Sequence, residues 1–288
     1  RFIINPLAGN KNHINIDKYI QKHFSNCEIY YTKKAGDIKT ISDNAVKEKI
    51  NIVVVVGGDG SVNESLSSLK NTNTALAIVP TGSGNGIAYH IGMKKNIKKA
   101  IKQLKKYNVT QIDTCLINSK SFINIAGVGF DAHIANLFLN QKNRGFFKYV
   151  KLIFQQLNYK AKSYYLKYNN EEKKIEAFLI SFANASQYGN NVKISPMADI
   201  KDGLFEMVIV HKFPKWKIPI LIVKLFLGKI NTFKHVETLK LNNVEINSDE
   251  TLIHTDGEPH IINKPISVKI LTKSIKILIP KIKETFNI

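Results

Sequence analysis

Two carboxylates stand among glycines where the backbone must turn sharply: Asp59 in "GGDGSVNE" (57–64) and Glu258 in "TDGE" (255–258). Two further glycine-rich stretches, "NPLAGN" (5–10) and "PTGSGNG" (80–86), flank the first along the chain. A glycine lets backbone N–H groups approach an anion, and a helix that starts just after the turn adds the positive end of its dipole. One such turn is ordinary punctuation between strand and helix, but three together point to a polyphosphate. An aspartate in such a cradle repels phosphate unless a divalent cation lies between, and Mg²⁺ is commonly held by one or two carboxylates plus the phosphates themselves. A carboxylate in a separate turn supplies the other requirement of phosphoryl transfer to a hydroxyl, a proton acceptor. Neither common nucleotide fingerprint is present, because no lysine follows the glycines of "GGDGSVNE" and its spacing is not G-x-G-x-x-G.

The elements that must position these turns follow from periodicity. Strand-like "RFIINP" (1–6), "CEIYYT" (27–32), "NIVVVVG" (51–57) and "ALAIVP" (75–80) alternate with helix-like "IDKYIQKHF" (16–24), "DIKTISDNAVKEK" (37–49), "VNESLSSLK" (62–70) and "IKKAIKQLKKY" (97–107). That rhythm predicts a parallel sheet wrapped by helices, with the three glycine loops meeting at the carboxyl ends of the strands. From about residue 110 the pattern becomes short strands separated by Asn, Gly and Asp-Gly turns, with helical interruptions at 131–157 and 214–228. It predicts a β-sandwich or strongly curved antiparallel sheet. The expected organisation is α/β followed by β. An α/β nucleotide-binding domain covers residues 1–112, with about 281–288 returning to it; a β-sandwich-like substrate domain covers 113–280, and the active site lies in the cleft between them.

Charge restricts the partners. The 288 residues carry a net charge of +20, almost entirely from lysine, since Arg1 and Arg144 are the only arginines. Such a balance favours an anionic partner. Scarce arginine argues against sequence-specific DNA reading, and Tyr30-Tyr31 and Tyr164-Tyr165 sit in strand-like runs without a stacking motif, so no nucleic acid partner is expected. Cys27 and Cys115 lack metal-ligand spacing and read as free thiols of a reducing cytosol, and no histidine pair has zinc spacing. His13, close to the first glycine loop, is the histidine nearest a nucleotide role. No signal peptide is visible. The longest apolar stretch, "WKIPILIVKLFLG" (216–228), is too short to span a bilayer. "NLFLNQKNRGFFKYVKLIFQQL" (136–157) and "PKWKIPILIVKLFLGK" (214–229) set aromatic and aliphatic residues beside lysines, as segments at a membrane interface do.

The ordered set "NPLAGN", "GGDGSVNE" and "PTGSGNGIAYHIG" resembles the diacylglycerol kinase catalytic domain family, which includes soluble bacterial lipid kinases and is related to sphingosine and ceramide kinases. "NIAGVGFDAHIA" (124–135), "SPMADIKDGLFEMVIV" (195–210) and "TDGE" are similar to the second-domain signatures in the same order, so the resemblance covers nearly the whole chain. It implies a kinase, dependent on ATP and Mg²⁺, that transfers the γ-phosphoryl group to the hydroxyl of diacylglycerol or a related lipid. By the same resemblance Asn5, Pro6 and Gly9 line the nucleotide loop, and Thr32 occupies a position that touches ATP. Gly57, Gly58, Gly60, Ser61, Asn63 and Glu64 cradle phosphates, while Gly82, Ser83 and Asn85 contact the nucleotide or hold its loop. Asp59 positions Mg–ATP or, as in the sphingosine kinase branch, acts as base; Glu258 matches the proton acceptor of bacterial diacylglycerol kinases. Asp202, with the backbone carbonyls of Asp199 and Leu204, matches a structural Mg²⁺ site. The implied setting is cytoplasmic, peripheral to the inner face of an anionic membrane, and a homodimer is left open.

Other readings remain at this level. "PTGSGN" carries the Ser-Gly-Asn form of sphingosine and ceramide kinases, where many bacterial glycerolipid kinases read Gly-Thr-x-Asn-Asp with the aspartate falling at Gly86. Asp131 in "GFDAHIA" would suit an amino head group, which makes a long-chain-base kinase the first alternative. NAD kinases share "GGDG" and a β-rich second domain, but "NPLAGN", "PTGSGNGIAYHIG" and "TDGE" favour the lipid branch. A basic membrane- or nucleic-acid-binding protein without activity is the last, and the presence of both Asp59 and Glu258 counts against it.

Overall fold

The computed structural model describes residues 1–9, 16–139, 146–156 and 158–281. The chain forms two compact units, Arg1–Ile112 with Ser274–Ile288, and Asp113–Lys273. His13 and residues 282–288 lie outside the described residues.

In the first unit the strands β1 (Phe2–Ile4), β2 (Ile29–Tyr31), β3 (Ile52–Gly57) and β4 (Ala75–Pro80) form a parallel sheet in the order β2-β1-β3-β4. Helices α1 (Ile16–His23), α2 (Asp37–Lys47), α3 (Asp59–Leu69), α4 (Gly86–His90) and α5 (Ile97–Gln103) fill the connections. Val53–Val56 and every residue of β4 are buried, as expected of apolar strands covered on both faces. Helices supply the cover through Ile38 and Ala45 of α2, Val62, Leu66 and Leu69 of α3, and Ala100 and Ile101 of α5. Each such aliphatic side chain contributes about 1.5–3 kcal/mol when fully buried. Because the strands are parallel, β1, β3 and β4 all end at one edge, where "NPLAGN", "GGDGSVNE" and "PTGSGNG" leave the sheet. The helix expected over 97–107 stops at Gln103, where the three-residue bonds Leu104 N to Ile101 O, Lys105 N to Lys102 O and Lys106 N to Gln103 O tighten its end.

The second unit is antiparallel. The strand β5 (Tyr107–Ile117) enters it at Asp113 and pairs with β6 (Lys120–Phe122). There follow β7 (Ile125–Gly129), α6 (Phe130–Leu139), α7 (Phe146–Gln155), β8 (Lys162–Tyr168), β9 (Glu171–Ala183), β10 (Phe205–His211), α8 (Ile218–Leu227), β11 (Val236–Leu241), β12 (Asn243–Asn247), β13 (Leu252–Thr255), β14 (Glu258–Ile261) and β15 (Ile266–Pro280). The long β9 serves two layers: Glu171–Ala177 pairs with β8, and Leu179–Ala183 pairs with β7 on one side and β10 on the other. The alternating burial of β8 and β12 turns one face onto a core that includes Phe122, Tyr164, Phe182, Phe205, Met207 and Ile246. A second apolar cluster, with Phe130, Ile134, Phe178, Leu221 and Phe233, seats the helices.

One departure from the sequence reading has a local cause. The described residues of 131–157 lie largely in α6 and α7, and residues 140–145 are outside the described set. "ISVKILTK" and "SIKILIP" are one continuous strand, β15, and the chain rejoins the first unit at Ser274, where Ile277 pairs in parallel with Leu76. The boundary therefore falls inside a strand, at the polar run Thr272-Lys273-Ser274, where Lys273 has φ 49°.

Candidate active site

The three glycine loops of the first unit touch one another through their backbones. Gly9 has φ +70°, and a Cβ there would lie 1.8 Å from the Thr81 carbonyl oxygen. A Cβ on Gly82 would lie 2.5 Å from Gly58 Cα. These glycines are thus needed for the loops to close on each other, whatever ligand they also admit. Asn5 strengthens the junction, donating from Nδ2 to Ser61 Oγ at 3.0 Å while its Oδ1 accepts from Leu7 N at 3.0 Å. Asn85 holds the third loop: Gly82 N donates to its Oδ1 at 2.9 Å, and its Nδ2 donates to Gly82 O at 2.6 Å.

Asp59 is the clamp of this assembly. Its Oδ2 accepts from Asn85 N at 2.7 Å and its Oδ1 from Gly86 N at 2.8 Å, so one carboxylate on α3 caps the start of α4. Burial, with the Asp59 charge adding to it, pushes the Tyr89 phenol above its ordinary range, so Tyr89 stays neutral while its hydroxyl accepts from Asn85 Nδ2 at 3.2 Å. The positive end of α4 is thereby already satisfied. The N-cap of α3 is Gly58, a residue with no side chain to occupy the amides of the first turn. Thr81 Oγ1 is buried with no hydrogen-bond partner among the described residues, and Ser83 is exposed beside it. The N-terminus of α3, an orphaned hydroxyl and an exposed serine form a donor set that suits phosphate oxygens.

The remaining sequence candidates of this unit lie around that edge. Thr32 is buried just beyond β2, its N–H donating to Ile4 O at 2.9 Å. The turn after it is fixed by Asp37, whose Oδ2 accepts from Lys33 N at 2.7 Å and Lys34 N at 3.0 Å, bonds that hold this carboxyl below its usual range. Glu64 points to α2 and accepts from Lys39 N at 3.2 Å. Pro6, Gly57, Gly60 and Asn63 belong to the same loops and the first turn of α3, and Gly57 packs on Ser61, whose Cβ would lie 2.4 Å from a Cβ added there.

In the second unit "TDGE" is a two-residue hairpin between β13 and β14. Asp256 at φ 50° and Gly257 at φ 87° are both left-handed, and Thr255 pairs with Glu258. Glu258 is exposed at the start of β14. Its neighbour Asp256 is buried and does the holding: Oδ1 accepts from Asn124 N at 2.9 Å and Ile125 N at 3.1 Å, and Oδ2 from Ile123 N at 3.1 Å. Asp256→Ala strands three buried amides, and we expect it to lower unfolding free energy by about 3–5 kcal/mol in chemical denaturation, with Asp256→Asn recovering part. A loss below about 1 kcal/mol would contradict the structural role of these bonds.

The residue before the turn, His254, is also buried. Its Nε2 lies 3.2 Å from Asp131 Oδ2, and Gly257 N lies 3.4 Å from its Nδ1. Since the carboxylate accepts, Nε2 carries the proton and Nδ1 faces the turn. The same Oδ2 accepts from Ser181 Oγ at 2.9 Å and Tyr188 Oη at 3.2 Å, and Gly127 leaves the room, since a Cβ there would lie 2.1 Å from it. Asp131 is only 6% exposed, so it is committed to the interior of this unit and is not presented to an amino head group. His260, beside Glu258 in the hairpin, lies 2.8 Å from Thr255 Oγ1, and burial followed by the Lys120 and His254 charges lowers its pKa, which keeps it neutral near pH 7.

The stretch 199–204 is a pair of turns. Asp199 Oδ1 accepts from Lys201 N at 3.0 Å and Asp202 Oδ1 from Leu204 N at 3.0 Å, while Asp202 Oδ2 lies 3.1 Å from Lys240 Nζ. Among the described residues no group of three or more His, Cys, Asp or Glu side chains gathers as a metal site. In this arrangement the Asp202 carboxylate is engaged by the Lys240 ammonium.

Sequence reasoning missed the buried polar residues that brace these turns. Asp113 accepts from Gly203 N at 2.8 Å and Lys273 N at 2.7 Å, and Asn184 Nδ2 donates to Asp113 O at 2.9 Å and Ile123 O at 2.7 Å. Asn124 Nδ2 donates to Gln187 O at 3.1 Å. Their one visible signal is a polar residue inside an apolar run, as in "QIDTCLI" and "FINIAGV".

Comparison with known proteins agrees with this architecture in both units. The model of the diacylglycerol kinase catalytic domain matches residues 1–117, and that of the YegS C-terminal NAD kinase beta sandwich-like domain matches residues 124–279, more than half of the chain. A protein of Chromohalobacter salexigens named "Probable lipid kinase YegS-like" is 28% identical over 237 residues, which are 79% of this chain and 76% of that one. The protein named "Diacylglycerol kinase" in Bacillus subtilis is 25% identical over 280 residues, 90% of this chain and 89% of its own. A crystal structure of a diacylglycerol kinase from Bacillus anthracis str. Sterne shares the fold, with a TM-score of 0.74 at 21% identity over 97% of this chain and 96% of that one.

Proposed function

The chain belongs to the family of kinases that join a diacylglycerol kinase catalytic domain to a YegS-type C-terminal β-sandwich-like domain, and on that premise we propose that it phosphorylates diacylglycerol with ATP, giving phosphatidic acid and ADP. The observation that carries this reading is the closure of three glycine loops at one edge of the parallel sheet, beside the start of α3 at Gly58. ATP binds there, its phosphates accepting from first-turn amides of α3, from Ser83 and from Thr81 Oγ1, with Mg²⁺ arriving on the nucleotide. Asp59 keeps the third loop in register through Asn85 and Gly86.

In the reaction the lipid hydroxyl oxygen attacks the γ-phosphorus, the bond from that phosphorus to the β–γ bridging oxygen breaks, and ADP departs. Glu258 takes the hydroxyl proton. Its exposure and its place at the end of a hairpin suit a group that must meet an external hydroxyl. Asp131, the residue that would have favoured a long-chain base, is engaged by Ser181, Tyr188 and His254, which supports a glycerolipid acceptor. The acceptor's acyl chains place the reaction at a bilayer, and the charge of +20 supports peripheral attachment to an anionic inner leaflet. No helix among the described residues is long and apolar enough to cross a membrane.

Purified protein supplied with ATP, Mg²⁺ and, in parallel, diacylglycerol micelles, sphingosine micelles or NAD distinguishes the readings. Diacylglycerol is the expected acceptor, and phosphorylation of NAD alone would overturn the proposal.

A further inference from the structure

Trp216, Ile220, Val223 and Leu227 recur at spacings of four, three and four, and they are 70%, 43%, 55% and 63% exposed. Trp216 lies in the 3₁₀ turn Lys215–Lys217 that leads into α8, and the other three follow along one stripe of that helix. The inner face of α8 is already filled: Ile218 and Leu221 are buried, and Leu225 packs on the cluster with Phe178 and Phe233. Gly228, at φ 64°, ends the helix in a left-handed cap. Four large apolar side chains in one stripe form a patch of the kind that soluble monomers seldom leave in water without use.

The charge around this patch is of one sign. Between residues 212 and 236 there are six lysines and no aspartate or glutamate. Lys215 and Lys229, at the two ends of the stripe, are exposed and make no ion pair among the described residues. Lys217 reaches His235 at 3.2 Å and Lys224 reaches Thr232 O at 3.3 Å, so neither is neutralised by a carboxylate. We propose that this stripe is the surface by which the protein docks on an anionic lipid bilayer. Trp216 sits at the headgroup level, Ile220, Val223 and Leu227 enter the acyl boundary, and Lys215 and Lys229 meet lipid phosphates. A two-fold contact with a second copy would set these lysines against the same lysines, so the charge favours the bilayer. The inference rests on the lipid-kinase reading for its purpose only, because docking is measured without nucleotide.

Trp216 is the only tryptophan in the chain, so its emission reports from the stripe itself. Vesicles of mixed phosphatidylcholine and phosphatidylglycerol should shift that emission to the blue, and brominated acyl chains should quench it; vesicles of phosphatidylcholine alone should do neither. The double variant Ile220→Ser with Leu227→Ser should bind the mixed vesicles about tenfold or more weakly with unchanged melting temperature and unchanged turnover of detergent-dispersed lipid. Cosedimentation with an unshifted Trp216, absence of vesicle binding, or a dimer that the double variant dissociates would each overturn the proposal. Intact docking with no turnover on any lipid would instead remove the kinase reading and leave this surface standing.

Discussion

Glu258→Gln is expected to lower kcat by about 10²–10⁴ while the affinity for ATP and the melting temperature stay near those of the parent protein. The substitution keeps the length and polarity of the side chain but removes its capacity to take a proton. The surrounding structure has little reason to respond. Glu258 is exposed, and the hairpin that carries it is held by the left-handed pair Asp256-Gly257 and by the amides bound to Asp256, none of which involves the Glu258 carboxylate. The parent's own rate should fall at low pH, where protonation of Glu258 removes the same function, so the deficit of the variant should shrink there and its profile should be flat over that range. Stopped-time assays at saturating ATP, with calorimetric ATP titration, separate turnover from binding. Full activity in Glu258→Gln would assign the proton to another group.

Asp59→Asn should be more damaging, and in a different way. Both carboxylate oxygens accept backbone N–H groups, from Asn85 and Gly86. An amide offers one oxygen, and its own N–H groups then face a second backbone donor. The loss of one charge-assisted bond and the creation of a donor–donor contact amount to about 2–4 kcal/mol at the junction of two loops that also touch through Gly58 and Gly82. We expect kcat/KM for ATP to fall by about 10³ or more, with a drop in ATP affinity forming part of it. A base or a metal ligand would instead lose kcat while ATP affinity held. Normal ATP affinity in Asp59→Asn would therefore contradict the clamp and return Asp59 to the chemistry.

Much of the first unit is legible in the sequence because its signals are local. "IVVVV" and "ALAIVP" are apolar and β-rich enough to be strands covered on both faces, and the glycine turns mark where those strands end. That the loops meet follows from parallel topology alone. What each glycine is for does not, because Gly9, Gly58 and Gly82 serve contacts between segments far apart in the chain. The same limit applies in the second unit. "TDGE" is readable as a hairpin, but the exchange of roles within it is not: Asp256 takes the buried structural work through the amides of residues 123–125, and Glu258 is left at the surface. Asp131 beside Phe130 looks the same in sequence whether it faces a ligand or His254. The boundary inside β15 is hidden for a different reason: the polar run Thr272-Lys273-Ser274 reads as a turn between two short strands, whereas one strand passes through it and changes neighbours.

The most direct measurement follows the phosphorus atom. Purified protein incubated with ATP labelled in the γ-phosphate, Mg²⁺ and diacylglycerol in mixed micelles should place the label in phosphatidic acid, with ADP formed in equal amount and with both products lost together in Asp59→Asn and Glu258→Gln. Label released only as inorganic phosphate, or transferred only to a soluble acceptor such as NAD, would contradict the assignment of this chain as a kinase of diacylglycerol.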